Sequence, residues 1–171
     1  KGTNRANFLR GQVDKYTWVD IGSSYLPSEL NAAYLYGQLQ CAGKINENRL
    51  ASWNRYKRGL QELANSGKIE LPQIPEGCMH NAHMFYIKVK DLGERTRLQQ
   101  YLREREIQTA FHYIPLHSAP AGQKFGRFYG EDRCTTRESE RLVRLPMYYG
   151  ITNENQAMVI RAIYSYWDEI R

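Results

Sequence analysis

The chain has 171 residues, 42% hydrophobic and 25% charged, which is enough for one buried core and thin for two. Its 24 basic and 18 acidic side chains leave a formal charge of +6, but Arg103-Glu104-Arg105-Glu106 and Arg137-Glu138-Ser139-Glu140-Arg141 alternate in sign as solvated helix faces do, which argues against a nucleic-acid partner. Three cysteines without repeated spacing, Cys41, Cys78 and Cys134, argue against a disulfide framework and for the cytoplasm, and no apolar run reaches the roughly 20 residues of a membrane span.

The first residue is not Met and no apolar signal core follows it, so the chain is expected to be cut from something longer. Residues 1–24 are polar and aromatic without helical periodicity and end in the turn Asp20-Ile21-Gly22-Ser23-Ser24. Ser28 then caps a helix on which Leu30, Ala33, Tyr34, Gly37 and Leu39 lie near one face, with a break at Ala42-Gly43. Beyond it Ile45, Leu50, Trp53, Tyr56, Leu60 and Leu63 recur at three- to five-residue steps among arginines and Lys57, an amphipathic helix that stops at Ser66-Gly67.

Downstream the period changes. Lys68-Ile69-Glu70-Leu71 alternates like a short strand, Pro72 to Gly77 is a loop, and residues 83–89 read as a strand bounded by Asp91-Leu92-Gly93. A helix over 95–105 turns Leu98, Tyr101 and Leu102 inward, and 107–113 returns as a second strand. The Gly-rich stretch 118–132 is expected to be irregular, a short helix to cover 136–145, and a last helix to start after Ile151-Thr152-Asn153 with Val159, Ile163, Tyr166 and Ile170 on one side. This order is a helical leader followed by a small α+β unit.

The candidate chemistry is sparse. Cys78-Met79-His80-Asn81-Ala82-His83 has metal-like spacing but no second ligand pair, so no metal is assigned. Cys134 and Ser139 lack a nucleophile elbow, and Gly122, Gly126 and Gly130 precede no phosphate-binding Lys-Thr pair. The distinctive run is Phe111-His112-Tyr113-Ile114-Pro115-Leu116-His117. Pro115 keeps Ile114 extended, so the two histidines should flank a rigid corner at a strand end. Spacing alone leaves two readings open: a corner that meets a ligand, or a hydrogen-bonded structural histidine with a surface neighbour.

A resemblance narrows the choice. Gly22-Ser23-Ser24-Tyr25-Leu26-Pro27-Ser28-Glu29-Leu30-Asn31-Ala32-Ala33, His83-Met84-Phe85-Tyr86, the run 111–117 and Arg144-Leu145-Pro146-Met147 come in the order seen in the nucleotide-sugar aminotransferases, whose C-terminal half this chain resembles. Gly11-Gln12-Val13-Asp14-Lys15-Tyr16-Thr17-Trp18 and Gly130-Glu131-Asp132-Arg133 bring it nearer to members that aminate a thymidine-diphosphate sugar. The resemblance implies an α+β fold, the C-terminal part of a pyridoxal-phosphate-dependent transferase of the aspartate aminotransferase fold, with long helices and a small antiparallel sheet. Residues 1–45 would close the large cofactor-binding domain and 46–171 would form the small domain.

It also implies transfer of an amino group from glutamate to the C4 ketone of dTDP-4-dehydro-6-deoxyglucose by a homodimer, while the cytoplasm and the lack of nucleic-acid or membrane partners are the expectations already drawn from cysteines, charge and hydropathy. The Schiff-base lysine would lie before this chain, since Lys15, Lys44 and Lys124 match no such position, so no catalytic residue is assigned and the chain alone should be inactive. Ser24 stands where many members carry an Asn that reaches the cofactor phosphate of the other subunit, while Tyr25, His83, His112, Tyr113 and His117 would face the sugar or its entry. The alternatives are a sugar dehydratase of the same fold, with a histidine in place of that lysine, and a non-enzymatic module for dimerisation or anion binding. Without a large domain to cover it, the leading helix should cause self-association or partial disorder around residues 1–45.

Overall fold

The computed structural model describes residues 4–13, 17–23 and 25–169, which divide into two compact units, residues 1–42 and 43–171. In the first, α1 (Arg5–Leu9) occupies a stretch whose sequence shows no helical period, and Asn4 closes the following loop by accepting from the Thr17 N–H at 2.8 Å. α2 (Glu29–Gln40) begins where the cap predicts, with the Ser28 hydroxyl accepting from the Asn31 N–H at 3.3 Å. Its apolar residues stay uncovered: Leu30, Tyr34 and Leu39 are 84%, 73% and 60% exposed.

The second unit holds the core. The single amphipathic helix expected before Ser66-Gly67 is two, α3 (Ala42–Gly59) and α4 (Gln61–Asn65), joined through Leu60 and ended by Gly67 at φ +74°. Gly59 is where α3 meets the last helix, because a Cβ there would stand 2.6 Å from Ile160 Cδ1. β1 (Phe85–Lys88) follows, then α5 (Leu92–Arg103), which starts three residues earlier than its periodicity suggests because the Asp91 carboxylate accepts from the Glu94 N–H at 2.9 Å.

Three expectations between 107 and 145 need correction. The strand over 107–113 is one antiparallel bridge, Ala110 to Arg144. Continuing the register would set residue 108 against Pro146, which has no N–H, and residue 112 against Leu142, where the partner strand begins. The stretch 118–132 contains a helix, α6 (Pro120–Phe125), with Pro120 at its first turn. The helix over 136–145 is α7 (Thr135–Arg141), which passes directly into β2 (Leu142–Leu145).

β1 and β2 pair antiparallel, Phe85 opposite Leu145 and Tyr86 opposite Arg144, and Glu70 bridges Lys88 on the outer side of β1. Alternation buries Phe85, Ile87, Val143 and Leu145 on one face and leaves Tyr86, Lys88, Leu142 and Arg144 on the other. α5 and α8 (Asn153–Glu169) supply Leu98, Leu102, Val159, Ile163 and Tyr166 to the core, joined by Trp53, Tyr56 and Leu60. No helix among the described residues is long and apolar enough to cross a membrane.

Candidate functional site

Two arginines and a tyrosine, none of them a site residue expected from the sequence, set the frame. Arg49 on α3 donates from Nε to the Ala82 carbonyl at 3.0 Å and from Nη2 to the His83 carbonyl, which fixes the entry to β1. Buried Tyr56, one and a half to two turns further along α3, donates its hydroxyl to the Pro146 carbonyl at 2.8 Å, and burial pushes that phenol well above its usual range. Arg144 hydrogen-bonds through its backbone to Ala110, its N–H donating at 2.7 Å. His112 lies two residues past that bridge.

His112 is half-buried, with its ring edge-on to Tyr113 at 3.9 Å between centroids, whereas Tyr113 is 66% exposed. Its imidazole is held below the ordinary histidine value, first by burial and then by the charges of Arg144 and His83. His83 and Arg144 thus both act on the His112 ring. His83 itself is exposed. A shallow cavity of about 360 Å³ lies against the corner, walled by His112, Tyr113, Leu116, Glu138, Ser139 and Leu142.

His117 faces elsewhere. Its Nε2 lies 2.8 Å from Asp132 Oδ2 and 3.4 Å from the Thr136 hydroxyl, and its ring packs on Phe128 at 4.4 Å. Asp132 is in turn held ionised, below its usual range, foremost by the Thr136 hydroxyl. Tyr25 lies in the first unit and is 91% exposed, and Ser24 lies outside the described residues. The residues that sequence reasoning missed are Arg49, Arg144, Asp132 and Ser139. Of these, Arg144 carried a signal in Arg144-Leu145-Pro146-Met147, and Asp132 in its spacing from Thr136, four residues on at the start of a helix.

The Cys78–His83 segment has a structural use for one histidine: the His80 ring meets Trp53 at 4.6 Å and its Nδ1 accepts from the Ala82 N–H at 3.3 Å. Among the described residues no group of three or more His, Cys, Asp or Glu side chains could hold a metal ion.

With this geometry in place, comparison with known proteins is specific. The model of the DegT/DnrJ/EryC1/StrS aminotransferase family matches residues 3–164, and the chain belongs to that family. A dTDP-3-amino-3,6-dideoxy-alpha-D-galactopyranose transaminase from Aneurinibacillus thermoaerophilus is 30% identical over 166 residues, 95% of this chain and 43% of the relative. The aminotransferase TlmJ from Streptoalloteichus hindustanus superposes with a TM-score of 0.80 at 18% identity, over 99% of this chain and 43% of that one. S. venezuelae DesV gives 0.79 at 25% identity, over 89% and 40%. The chain thus spans about two fifths of the length of the relatives it matches. Its α+β arrangement of helices around a small antiparallel sheet is part of the fold of the pyridoxal-phosphate-dependent sugar aminotransferases.

Pyridoxal phosphate is the cofactor of this family. Among the described residues, Ser23 and Tyr25 are exposed and Lys44 and Lys124 stand on open surface, so these four do not enclose a pyridine ring, and no step is assigned to the cofactor on this chain.

Proposed function

We propose that this chain acts as the C-terminal portion of a sugar-nucleotide aminotransferase that carries an amino group from glutamate to the C4 ketone of dTDP-4-dehydro-6-deoxyglucose. The observation that carries the reading is the family match over residues 3–164. The choice of sugar, and with it a product for cell-surface polysaccharide synthesis, is supported by the separated motifs around residues 11–18 and 130–141, which resemble the TDP-4-oxo-6-deoxyglucose transaminase of enterobacterial common antigen synthesis.

Pyridoxal phosphate, bound mainly by residues outside this chain, supplies the electron sink. The chain contributes one wall of the sugar site. Neutral His112 offers one nitrogen that donates and one that accepts, Tyr113 offers a phenol, and the Arg144 guanidinium biases the same side toward anionic oxygen. Ser24 adds a hydroxyl near the cofactor phosphate, and Tyr25 lines the entry. The active assembly is a cytoplasmic homodimer.

The test is a balance of products. Full-length protein given pyridoxal phosphate, dTDP-4-dehydro-6-deoxyglucose and glutamate should release 2-oxoglutarate mole for mole with a 4-amino sugar nucleotide, while the 171-residue chain alone releases none. Loss of water from the sugar without 2-oxoglutarate would replace this reading with dehydration.

A further inference from the structure

The corner 111–117 is held by polar ties and by one backbone contact, with little help from apolar burial. Tyr113, Ile114 and Leu116 are 66%, 61% and 84% exposed, so they bury too little surface to fix a loop. Polar contacts reach three of its carbonyls and the His117 ring. The Ser139 hydroxyl donates to the Tyr113 carbonyl. The His117 ring meets Asp132 at 2.8 Å, and Asp132 is itself oriented by the Thr136 N–H, at 3.3 and 3.2 Å to its two oxygens, and by the Thr136 hydroxyl. The Ser118 N–H and hydroxyl donate to the Pro115 carbonyl at 3.1 and 3.0 Å. Finally α6 lies directly on the Leu116 carbonyl, where a Cβ on Gly122 would stand 1.6 Å from that oxygen.

Ser139 and Thr136 both belong to α7, and α7 is anchored to the sheet. Glu138 pairs with Lys88 of β1 at 2.7 Å, Arg141 Nε donates to the Val89 carbonyl at 2.8 Å, and Arg95 of α5 donates to the Ser139 carbonyl at 2.8 Å. The same helix runs without a break into β2, which carries Arg144. Any shift of α7 therefore moves the corner and Arg144 together.

From this we infer that Asp132 and Ser139 are positioning residues that clamp the corner through α7, and that His117 serves as the anchor of that clamp, leaving His112 and Tyr113 as the groups presented to a ligand. The clamp stands on the contacts just given. Its consequence for the sugar rests on the aminotransferase reading above. A side chain already engaged at 2.8 Å by a carboxylate that two Thr136 groups orient has little freedom left to serve as a substrate donor.

Amide hydrogen exchange on Asp132→Asn and Ser139→Ala decides the clamp. We expect exchange over residues 112–118 to rise at least tenfold in each variant, with α8 unchanged as the internal control. Unchanged exchange over 112–118 in both variants overturns the clamp, and so does an equal rise in α8, which would report general loosening. In the full-length enzyme the same substitutions should raise KM for the sugar nucleotide about tenfold and leave kcat within about twofold, a split that mere loss of stability does not give. Faster corner exchange with an unmoved KM would overturn the positioning role. A wild-type enzyme with no transaminase activity would sink the aminotransferase reading, while the exchange result would still settle the clamp by itself.

Discussion

His112 shows how little local chemistry is needed to choose a protonation state. A free imidazole titrates near about 6.5. Partial burial lowers that value first, the charge of Arg144 lowers it next and the interaction with His83 last, so the ring is neutral at physiological pH. Since the folded value lies below the unfolded one, the contribution to stability is present above the unfolded value and is lost as pH falls through the folded one. We expect the His112 ring signal in a proton NMR titration to have its midpoint below that of a model peptide, and Arg144→Gln to raise it. An unmoved midpoint in the variant would mean that burial acts alone and that Arg144 does not reach the ring. Arg144 could have been suspected from Arg144-Leu145-Pro146-Met147, but its partner could not, because the link between residues 112 and 144 is made by a single bridge at Ala110.

At the scale of elements, legibility followed the source of each element's stability. α2 was readable from its Ser28 cap, α5 from its 3.6-residue period and α8 from both kinds of signal, since each is written in adjacent positions. β2 was not, because its four residues follow a helix without a turn signal and alternate only against β1, more than 50 residues earlier. α6 was missed because glycines read as loop geometry, yet Gly122 is required by its contact with the Leu116 carbonyl. For the site, His112 and Tyr113 were legible as a corner, whereas the anchoring of His117 depends on a chain reversal that brings Asp132 back to it. α7 ties these pieces together and makes a prediction about acid. Lys88 first, then Arg137 and Arg141, hold the Glu138 carboxyl down to about 2, well below its unfolded value. Its contribution is complete above the unfolded value and is lost as pH falls from about 4.3 toward the folded value. Urea midpoints measured between pH 5 and pH 3 should therefore drop, and Glu138→Gln should flatten the slope. An equal slope in the variant would assign the acid loss to other carboxylates, with Asp132 the next to test.

At the scale of the whole molecule the two units differ in what they bury. Residues 43–171 close a core in which Tyr56, Phe85, Leu98 and Ile163 are fully covered, whereas none of the described residues before Gly43 is buried. Trp18, Ile21 and Leu30 are 74%, 91% and 84% exposed, and the apolar residues of α2 occur around the helix and not along one stripe. Exposed apolar area on this scale is favourable to remove from water, at roughly 25 cal/mol per Å². The isolated chain should therefore self-associate in sedimentation velocity runs, with a weight-average mass that climbs as concentration rises. Replacing Leu30 and Tyr34 by Lys should return it toward 20.0 kDa without lowering the thermal midpoint of the core, because those side chains bury nothing that folding gains. A wild-type chain that stays monomeric across the range would show that these residues are too dispersed to act as one surface. A lysine variant that instead lost stability would place them in packing that the first unit does not display, and the division of labour between an uncovered leader and a self-sufficient core would have to be abandoned.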